Sequence, residues 1–389
     1  MLIFSYSLRN LLARRLTTVF TIGGLALVVF VFVAALMLAH GLETTLTATG
    51  LPDNVLILRK GSNTEIASGI YREQAGILKT QPQIAQNSFG QPLMAAELVV
   101  LITLHKFDRN SPANVVTRGT VPEALLLRPQ IRLRHGRAWQ PGTTEIIVGG
   151  QIARRFQHIG VEKHLQFARR EWTIVGVFDA DGSGFESEIL GDVEQLMAAY
   201  GRDSFSSVTM RLANPASFEA IKARLENDPR LSLQVKREVD YYTEKSGSLS
   251  IFIQLLALVL TSVFAVGAVL GAAMTMHGSV SNRTAEIGTL RALGFARRHI
   301  LAAILLESLF IGGAAGVVGL AGASALQSVT ISTMNWSTFS ELAFGFALSP
   351  TIAFSGLLFS LIMGGLGGLL PAIHAVRLPV VVALASRGV

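Results

Sequence analysis

The sequence predicts a membrane protein with four transmembrane α-helices plus a mixed α+β extracytoplasmic domain between helices one and two. Three observations predict it. Half of the 389 residues are hydrophobic, 15% are charged and the mean hydropathy is +0.47, a composition unusual for a soluble domain. Four apolar runs are each long enough to cross a hydrocarbon core of about 30 Å, which takes roughly 20 helical residues. The arginines flanking those runs are distributed unevenly between the two ends.

The runs are Leu16–Ala39, Leu249–Met276, Ile300–Leu326 and Thr351–Val376. The first two carry no charge, the third carries only Glu307 and the fourth only His374. A core helix of a soluble protein would show a recurring polar face, and these do not. Between Gly41 and Ser248 there are 24 Lys+Arg against 23 Asp+Glu. The other nine basic residues are all arginine, and they sit beside the apolar runs. Arg9, Arg14 and Arg15 precede the first run, and Arg283, Arg291, Arg297 and Arg298 separate the second from the third. Arg377 and Arg387 follow the fourth, and the 327–350 loop has neither Lys nor Arg. The positive-inside rule therefore places both termini and residues 277–299 in the cytoplasm, with 327–350 and the 41–248 domain outside. The location expected is the inner (cytoplasmic) membrane. A net charge of +7 accounted for in this way gives no reason to invoke nucleic acid.

The expected boundaries follow. Residues 1–15 form a cytoplasmic amphipathic helix, with Phe4, Leu8, Leu11 and Leu12 on one face and arginines on the other. Its length and the distance of Arg14 from the terminus argue against a cleaved signal peptide. The first span covers 16–40, the external domain with its stalk 41–248 and the second span 249–276. A cytoplasmic segment covers 277–299, the third span 300–326 and a short outer loop 327–350. The fourth span covers 351–376 and a tail 377–389.

Within the external domain, Asn54–Leu58, Glu97–Leu104, Glu145–Val148, Trp172–Phe178 and Ser207–Leu212 have strand character. Glu65–Lys79, Asp192–Tyr200 and Pro215–Asn227 read as helices, the last with Asn214 as cap and Pro215 in the first turn. Glu238–Ser248 runs without a breaker into the second span, as a helical stalk. No catalytic constellation is visible. Asp179-Ala-Asp181-Gly-Ser183-Gly184 imitates an EF-hand start, but Leu190 stands where a bidentate Glu is required. His158 and His164 lack metal-ligand spacing, and without cysteine there is neither a disulfide nor a thiolate site. Arg128–Trp139, with four arginines, reads as a solvated charged strand.

The most informative stretch is Arg283-Thr-Ala-Glu286-Ile287-Gly288-Thr-Leu290-Arg291-Ala-Leu293-Gly294. Ile287, Leu290 and Leu293 form an apolar stripe on a short helix that Gly294 ends. Its wording resembles the coupling segment of the MacB/FtsX/LolC-type permeases of ABC transporters. Leu305-Leu-Glu307-Ser-Leu-Phe-Ile-Gly-Gly resembles that family's third helix. Pro371-Ala-Ile-His-Ala-Val-Arg377-Leu-Pro-Val-Val-Val-Ala-Leu384 resembles its closing segment. Arg118-Gly-Thr-Val-Pro-Glu-Ala and Glu145-Ile-Ile-Val-Gly-Gly are similar in a less specific way. The basic run usual before Glu-Ile-Gly is reduced here to Arg283.

The resemblance implies a permease subunit that moves an external domain mechanically and drives export or efflux of periplasmic substrate. It implies a separate ABC ATPase in two copies, carrying ATP and Mg, with no cofactor on this chain and no catalysis by it. In keeping with that, no Gly-x-x-x-x-Gly-Lys-Ser/Thr phosphate loop occurs in the sequence. It further implies a second permease copy or a homologous permease, a periplasmic adaptor or substrate carrier, and membrane lipids as partners. Lipoprotein or lipid extraction is the alternative function, and a ligand-sensing receptor a more distant one. Glu286, Ile287, Gly288, Leu290, Arg291, Leu293 and Gly294 are the expected ATPase-coupling residues, docking through the apolar stripe while the four spans fold independently of it. Glu307 is the expected intramembrane polar residue, paired with Arg298 or a neighbouring helix. The glycine series 312, 313, 316, 319 and 364, 365, 367, 368 are expected at a dimer seam.

Overall fold

The computed structural model describes residues 15–107, 111–335 and 339–377. The amphipathic helix expected before Arg15 and the tail after Arg377 lie outside the described residues. The chain divides into two units. One comprises residues 1–41, 250–329 and 346–389, and the other 42–249 and 330–345.

Along the chain, α1 (Arg15–Thr47) leads to β1 (Asn54–Arg59), β2 (Ile70–Tyr71), α2 (Arg72–Lys79), β3 (Met94–His105) and β4 (Pro112–Thr120). Then come β5 (Arg132–Gly136), β6 (Glu145–Gly149), α3 (Gly150–Arg155), β7 (His164–Phe167), β8 (Arg170–Asp179) and β9 (Glu188–Asp192). Next are α4 (Val193–Tyr200), β10 (Ser204–Phe205), β11 (Ser207–Arg211), α5 (Phe218–Glu226) and β12 (Leu233–Arg237). The chain closes with α6 (Glu238–Ser281), α7 (Thr284–Ala292), α8 (Arg297–Ser324), β13 (Thr330–Asn335), β14 (Ser340–Gly345) and α9 (Pro350–Arg377).

The external unit is built on a ten-stranded mixed sheet in the order β12-β1-β11-β3-β4-β9-β6-β8-β5, with β7 on β8. Only β4/β9 and β6/β8 pair in parallel. Val55, Ile57, Leu98, Val100, Trp172 and Ile174 are fully enclosed in its main core. All five expected strands form. Two of the three expected helices form as read. Asp192 caps α4 by accepting from Gln195 N, Gly201 closes it at φ +61°, and Asn214 accepts from Ala216 N ahead of α5. The third is shorter than expected, because only Arg72–Lys79 is helical. Before it, Arg59 N donates to Ser68 Oγ, Glu65 turns inward and Ile70–Tyr71 pair with β10, so this stretch does not start a helix.

Among the described residues, four helices are long and apolar enough to cross a bilayer: Arg15–Thr47, Glu238–Ser281, Arg297–Ser328 and Pro350–Arg377. The last two pack through glycine. A Cβ on Gly312 would stand 2.8 Å from Ser360 O, and one on Gly364 would stand 2.7 Å from Ser308 O. Such spacing is closer than any side chain permits, and the Ser360 hydroxyl donates to Gly312 O across the same seam. Gly319 abuts α1 at Ala26 and Val29, and Gly367 abuts α6 at Ala272. The expected dimer-seam glycines therefore hold this chain's own helices together. The helix left uncovered is α6, whose Leu255, Val259, Val263, Val266 and Leu270 are exposed. An open groove of about 560 Å³ runs between α1 and α6 past Gly24, Gly267 and Gly271.

The outer loop expected at 327–350 contains structure the sequence reading did not anticipate. Strands β13 and β14 pair as an antiparallel hairpin, registered from Thr330↔Gly345 to Asn335↔Ser340, and it belongs to the external unit. Leu342, Ala343 and Phe344 are buried there, and Ala343 N donates to Ser187 Oγ at 3.2 Å.

Candidate functional site: the coupling segment and a buried charge network

Helix α7 begins after Arg283 and ends in a Schellman motif. Phe295 N donates to Leu290 O and Gly294 N to Arg291 O, both at 3.1 Å, with Gly294 at φ +95°. A Cβ at that φ is strained, so glycine is the residue this turn needs. Glu286–Gly294 is thus a one-piece helix and stop, as expected.

Its faces are distributed differently from the expected stripe. Ile287 and Gly288 are buried, Ile287 inside the membrane unit's own core with Val280, Ile300 and Ile304. Leu290 is half-buried, whereas Leu293 and Phe295 are exposed at 73% and 49%. Glu286 is exposed, and Arg291 Nη1 donates to Val376 O near the end of α9 at 3.4 Å. Only the Leu293 end of the stripe is accessible to a partner, because Ile287 is used in packing the segment onto the bundle.

Glu307 does have an arginine partner, but it is Arg283. The guanidinium grips the carboxylate with both nitrogens, at 3.0 and 3.2 Å, and both side chains are nearly excluded from solvent. Arg298 is exposed at the start of α8. The residue that opens α7 is therefore fixed to the third spanning helix by a bidentate pair, the geometry in which arginine is most selective.

The sequence reading did not identify a second concentration of charge, inside the external unit. Arg118 on β4 is 1% exposed and binds three carboxylates: Glu65 at 2.7 Å, Glu97 at 2.9 Å and Glu188 at 2.8 Å. Arg128 grips both oxygens of Glu97, at 2.5 and 2.7 Å, and lies 3.7 Å from Glu238 at the start of α6. The Thr120 hydroxyl donates to Glu97 and the Ser207 hydroxyl to Glu65, and the Phe185 ring faces both guanidiniums. Burial alone would raise the Glu97 carboxyl, but Arg128 and Arg118 outweigh it and hold it down at about 2. Burial dominates at Glu188 and pushes it up, against the pull of Arg118. Arg128 was expected in a solvated strand. Strand β5 (132–136) is indeed exposed throughout, but Arg128 precedes it and points inward. The available signal was the Arg118-Gly-Thr wording, whose arginine and threonine both enter this network.

No group of three or more His, Cys, Asp or Glu suited to a metal ion occurs among the described residues. In the EF-hand-like turn, Glu186 accepts from Ala180 N and Gly182 N and so caps the loop itself.

Two family models cover nearly all of the chain. The MacB-like periplasmic core domain matches residues 18–228, and the FtsX-like permease C-terminal domain matches 255–380. The chain belongs to the MacB/FtsX-like ABC permease family. Among relatives of this permease, a macrolide export ATP-binding/permease protein MacB of Brucella melitensis is 25% identical over 98% of the chain. A MacB of Hahella chejuensis is 29% identical over 56% of the chain. An ABC transporter permease YknZ of Bacillus subtilis, described as uncharacterized, is 25% identical over 51% of it. The permease spans 60% of the length of the Brucella relative, 33% of the Hahella one and 49% of YknZ. Among solved structures, the extracellular domain of YknZ aligns with a TM-score of 0.37 at 16% identity, covering 47% of this chain and 99% of that one. The periplasmic region of MacB from Actinobacillus actinomycetemcomitans aligns with a TM-score of 0.39 at 11% identity, covering 51% and 95%. The α7 segment and Glu307 both fall inside the FtsX-like match, and Arg118, Arg128, Glu65, Glu97 and Glu188 fall inside the MacB-like one.

Proposed function

We propose that this permease converts ATP hydrolysis, performed by an ABC ATPase module outside these 389 residues, into movement of its external domain, driving export of an extracytoplasmic substrate. The observation that carries the reading is α7. It is a capped helix fixed to the bundle by Arg283–Glu307 and Ile287, and it leaves Leu293 and Phe295 exposed beside Gly294. A helix held rigidly on one side and apolar on the other is suited to dock in a groove and move the bundle with it. The chain contributes no phosphate loop, so ATP and Mg belong to that module, and the chain itself is non-catalytic.

Two permease copies and two ATPase modules would make the complex, with the second copy against the uncovered face of α6 beside Gly267 and Gly271. The arginine distribution supports cytoplasmic termini and an external domain outside the inner membrane. Helix α6 starts at Glu238 in the external unit and continues to Ser281 in the membrane unit, which suits it to carry motion. The spans carry little interior charge, so cargo is expected to be moved by the external domain and its adaptor rather than through a charged pore.

The test is ATP turnover by the permease affinity-purified from its native membrane with whatever ATPase accompanies it. Leu293→Asp is expected to abolish co-purification and turnover while leaving the permease inserted. Unchanged turnover with Leu293→Asp would remove α7 from the role.

A further inference from the structure

The 330–345 hairpin is more than a cover for the loop between the third and fourth spans. Its Glu341 side chain, 8% exposed, is held between two cations of the external unit. Lys106 Nζ lies at 2.5 Å and Arg155 Nη2 at 2.9 Å. Arg155 also donates to the Ser332 hydroxyl on the other strand, and Asn114 Nδ2 donates to Phe339 O at 3.1 Å. Together with Ala343 N on Ser187 Oγ, polar contacts reach the hairpin from β4, from α3 and from the segment before β9. A loop that only needed to close two helices would not require a buried carboxylate with two cationic partners, since surface pairs of this kind contribute little. At the other end of the same helix α8, Glu307 grips Arg283 at the start of α7.

We propose that α8 and the hairpin form a second transmission line, separate from α6, with Glu307–Arg283 as its cytoplasmic pin and Glu341 with Lys106 and Arg155 as its external pin. This rests on the transporter reading above. Movement of α7 would pull α8 through the lower pin, and the hairpin, continuous in chain with α8 and α9, would pull β4 and β9 through the upper one. Glu341 and Glu307 are positioning residues in this scheme.

The experiment uses the full chain in lipid nanodiscs and reads amide hydrogen exchange, first alone and then bound to its ATPase with ATP and vanadate. In the chain alone, Glu341→Ala is expected to speed exchange over 340–345 at least tenfold while β1 and β11 keep wild-type protection, and Glu341→Asp to restore much of the loss. Unchanged exchange with Glu341→Ala would show that the upper pin holds nothing. In the complex, wild type is expected to change exchange in β4 and β9 on vanadate trapping. Glu341→Ala should lose at least half of that change while ATP turnover persists, and Glu307→Gln should lose at least half of it. If both variants respond to nucleotide as wild type does, the second line is refuted and the transporter reading stands. If wild type itself shows no nucleotide response, the transporter reading falls and the line falls with it.

Discussion

The two units treat buried charge differently. Among the described residues, the membrane unit buries the bidentate pair Arg283–Glu307 in a largely apolar bundle. The external unit encloses two arginines among Glu65, Glu97, Glu188 and Glu238, all nearly inaccessible to solvent. In a bilayer an ionised group without a partner is prohibitively costly, so one acid and one base are matched and located where they join two elements. In the external unit, sheet strands and their hydroxyl groups supply extra donors, so an excess of carboxylate is tolerated and spread over Arg118, Arg128, Thr120 and Ser207. The pair positions one helix, whereas the network ties β3, β4, β9 and the start of α6 into one body.

Removing a centre of the network should have the largest effect. Arg118→Met leaves buried Glu65 and Glu188 without their cation and Glu97 with Arg128 alone, a loss of about 3–5 kcal/mol. For a unit of this size, that is expected to lower the melting temperature of the external unit by roughly 6–20 °C in a thermal scan of the full chain. A drop under about 2 °C would mean that the network is solvated.

Next comes Ile287→Asp, which places a carboxylate in the bundle core at a cost on the order of 2–5 kcal/mol. Its expected signature is reduced yield and melting temperature of the permease alone. Leu293→Asp should leave both unchanged and act only on ATPase binding. Equal behaviour of the two variants would contradict the division of α7 into a packed face and a free one.

The glycine seam offers a smaller effect. Gly312→Val forces α8 and α9 apart, at about 1–3 kcal/mol. The equivalent change at Gly267, which faces nothing within 4 Å in the chain, is expected to leave the monomer's melting temperature unchanged. If Gly267→Val instead weakens association of two copies, measured by cross-linking, the uncovered face of α6 is the contact.

The smallest effect is in pH dependence, where two network acids act with opposite sign. The Glu97 carboxyl is held at about 2, below an ordinary carboxylate near 4.3. Its stabilisation is present above the ordinary value and is lost as pH falls toward 2. Glu188 is raised, so its contribution is complete below about 4.3 and declines as pH rises through its higher folded value. Glu188→Gln is therefore expected to flatten the neutral side of the stability profile, and Glu97→Gln to remove the acid-side loss at a large cost throughout. Melting curves across pH, on each variant, check the sign.

The spans were legible because bilayer thickness imposes a run length that composition alone reveals. The five strands Asn54–Leu58 to Ser207–Leu212 were legible because a half-buried strand leaves its pattern within a few residues. The α7 stop was legible in one residue, Gly294. What the sequence did not disclose depends on partners distant in the chain. Arg118 and Glu188 are 70 residues apart and meet because β4 and β9 pair in parallel. Glu307 and Arg283 meet across a helical hairpin, where the expectation left Arg298 and a neighbouring helix both open. The strands of the outer hairpin are short, and Glu341 is distant in sequence from Lys106 and Arg155, the two cations that hold it.

The central claim, that α7 is the docking element for an ABC ATPase, has a direct measurement. The permease is purified from its native membrane in wild-type form and as Leu293→Asp, and the stoichiometry of co-purifying ATPase and its vanadate-sensitive turnover are determined. The account predicts one ATPase module per wild-type permease, with turnover, and loss of both by tenfold or more in the variant while the permease melts as wild type. Wild-type permease free of any ATPase, or a variant that retains full stoichiometry and turnover, would contradict it.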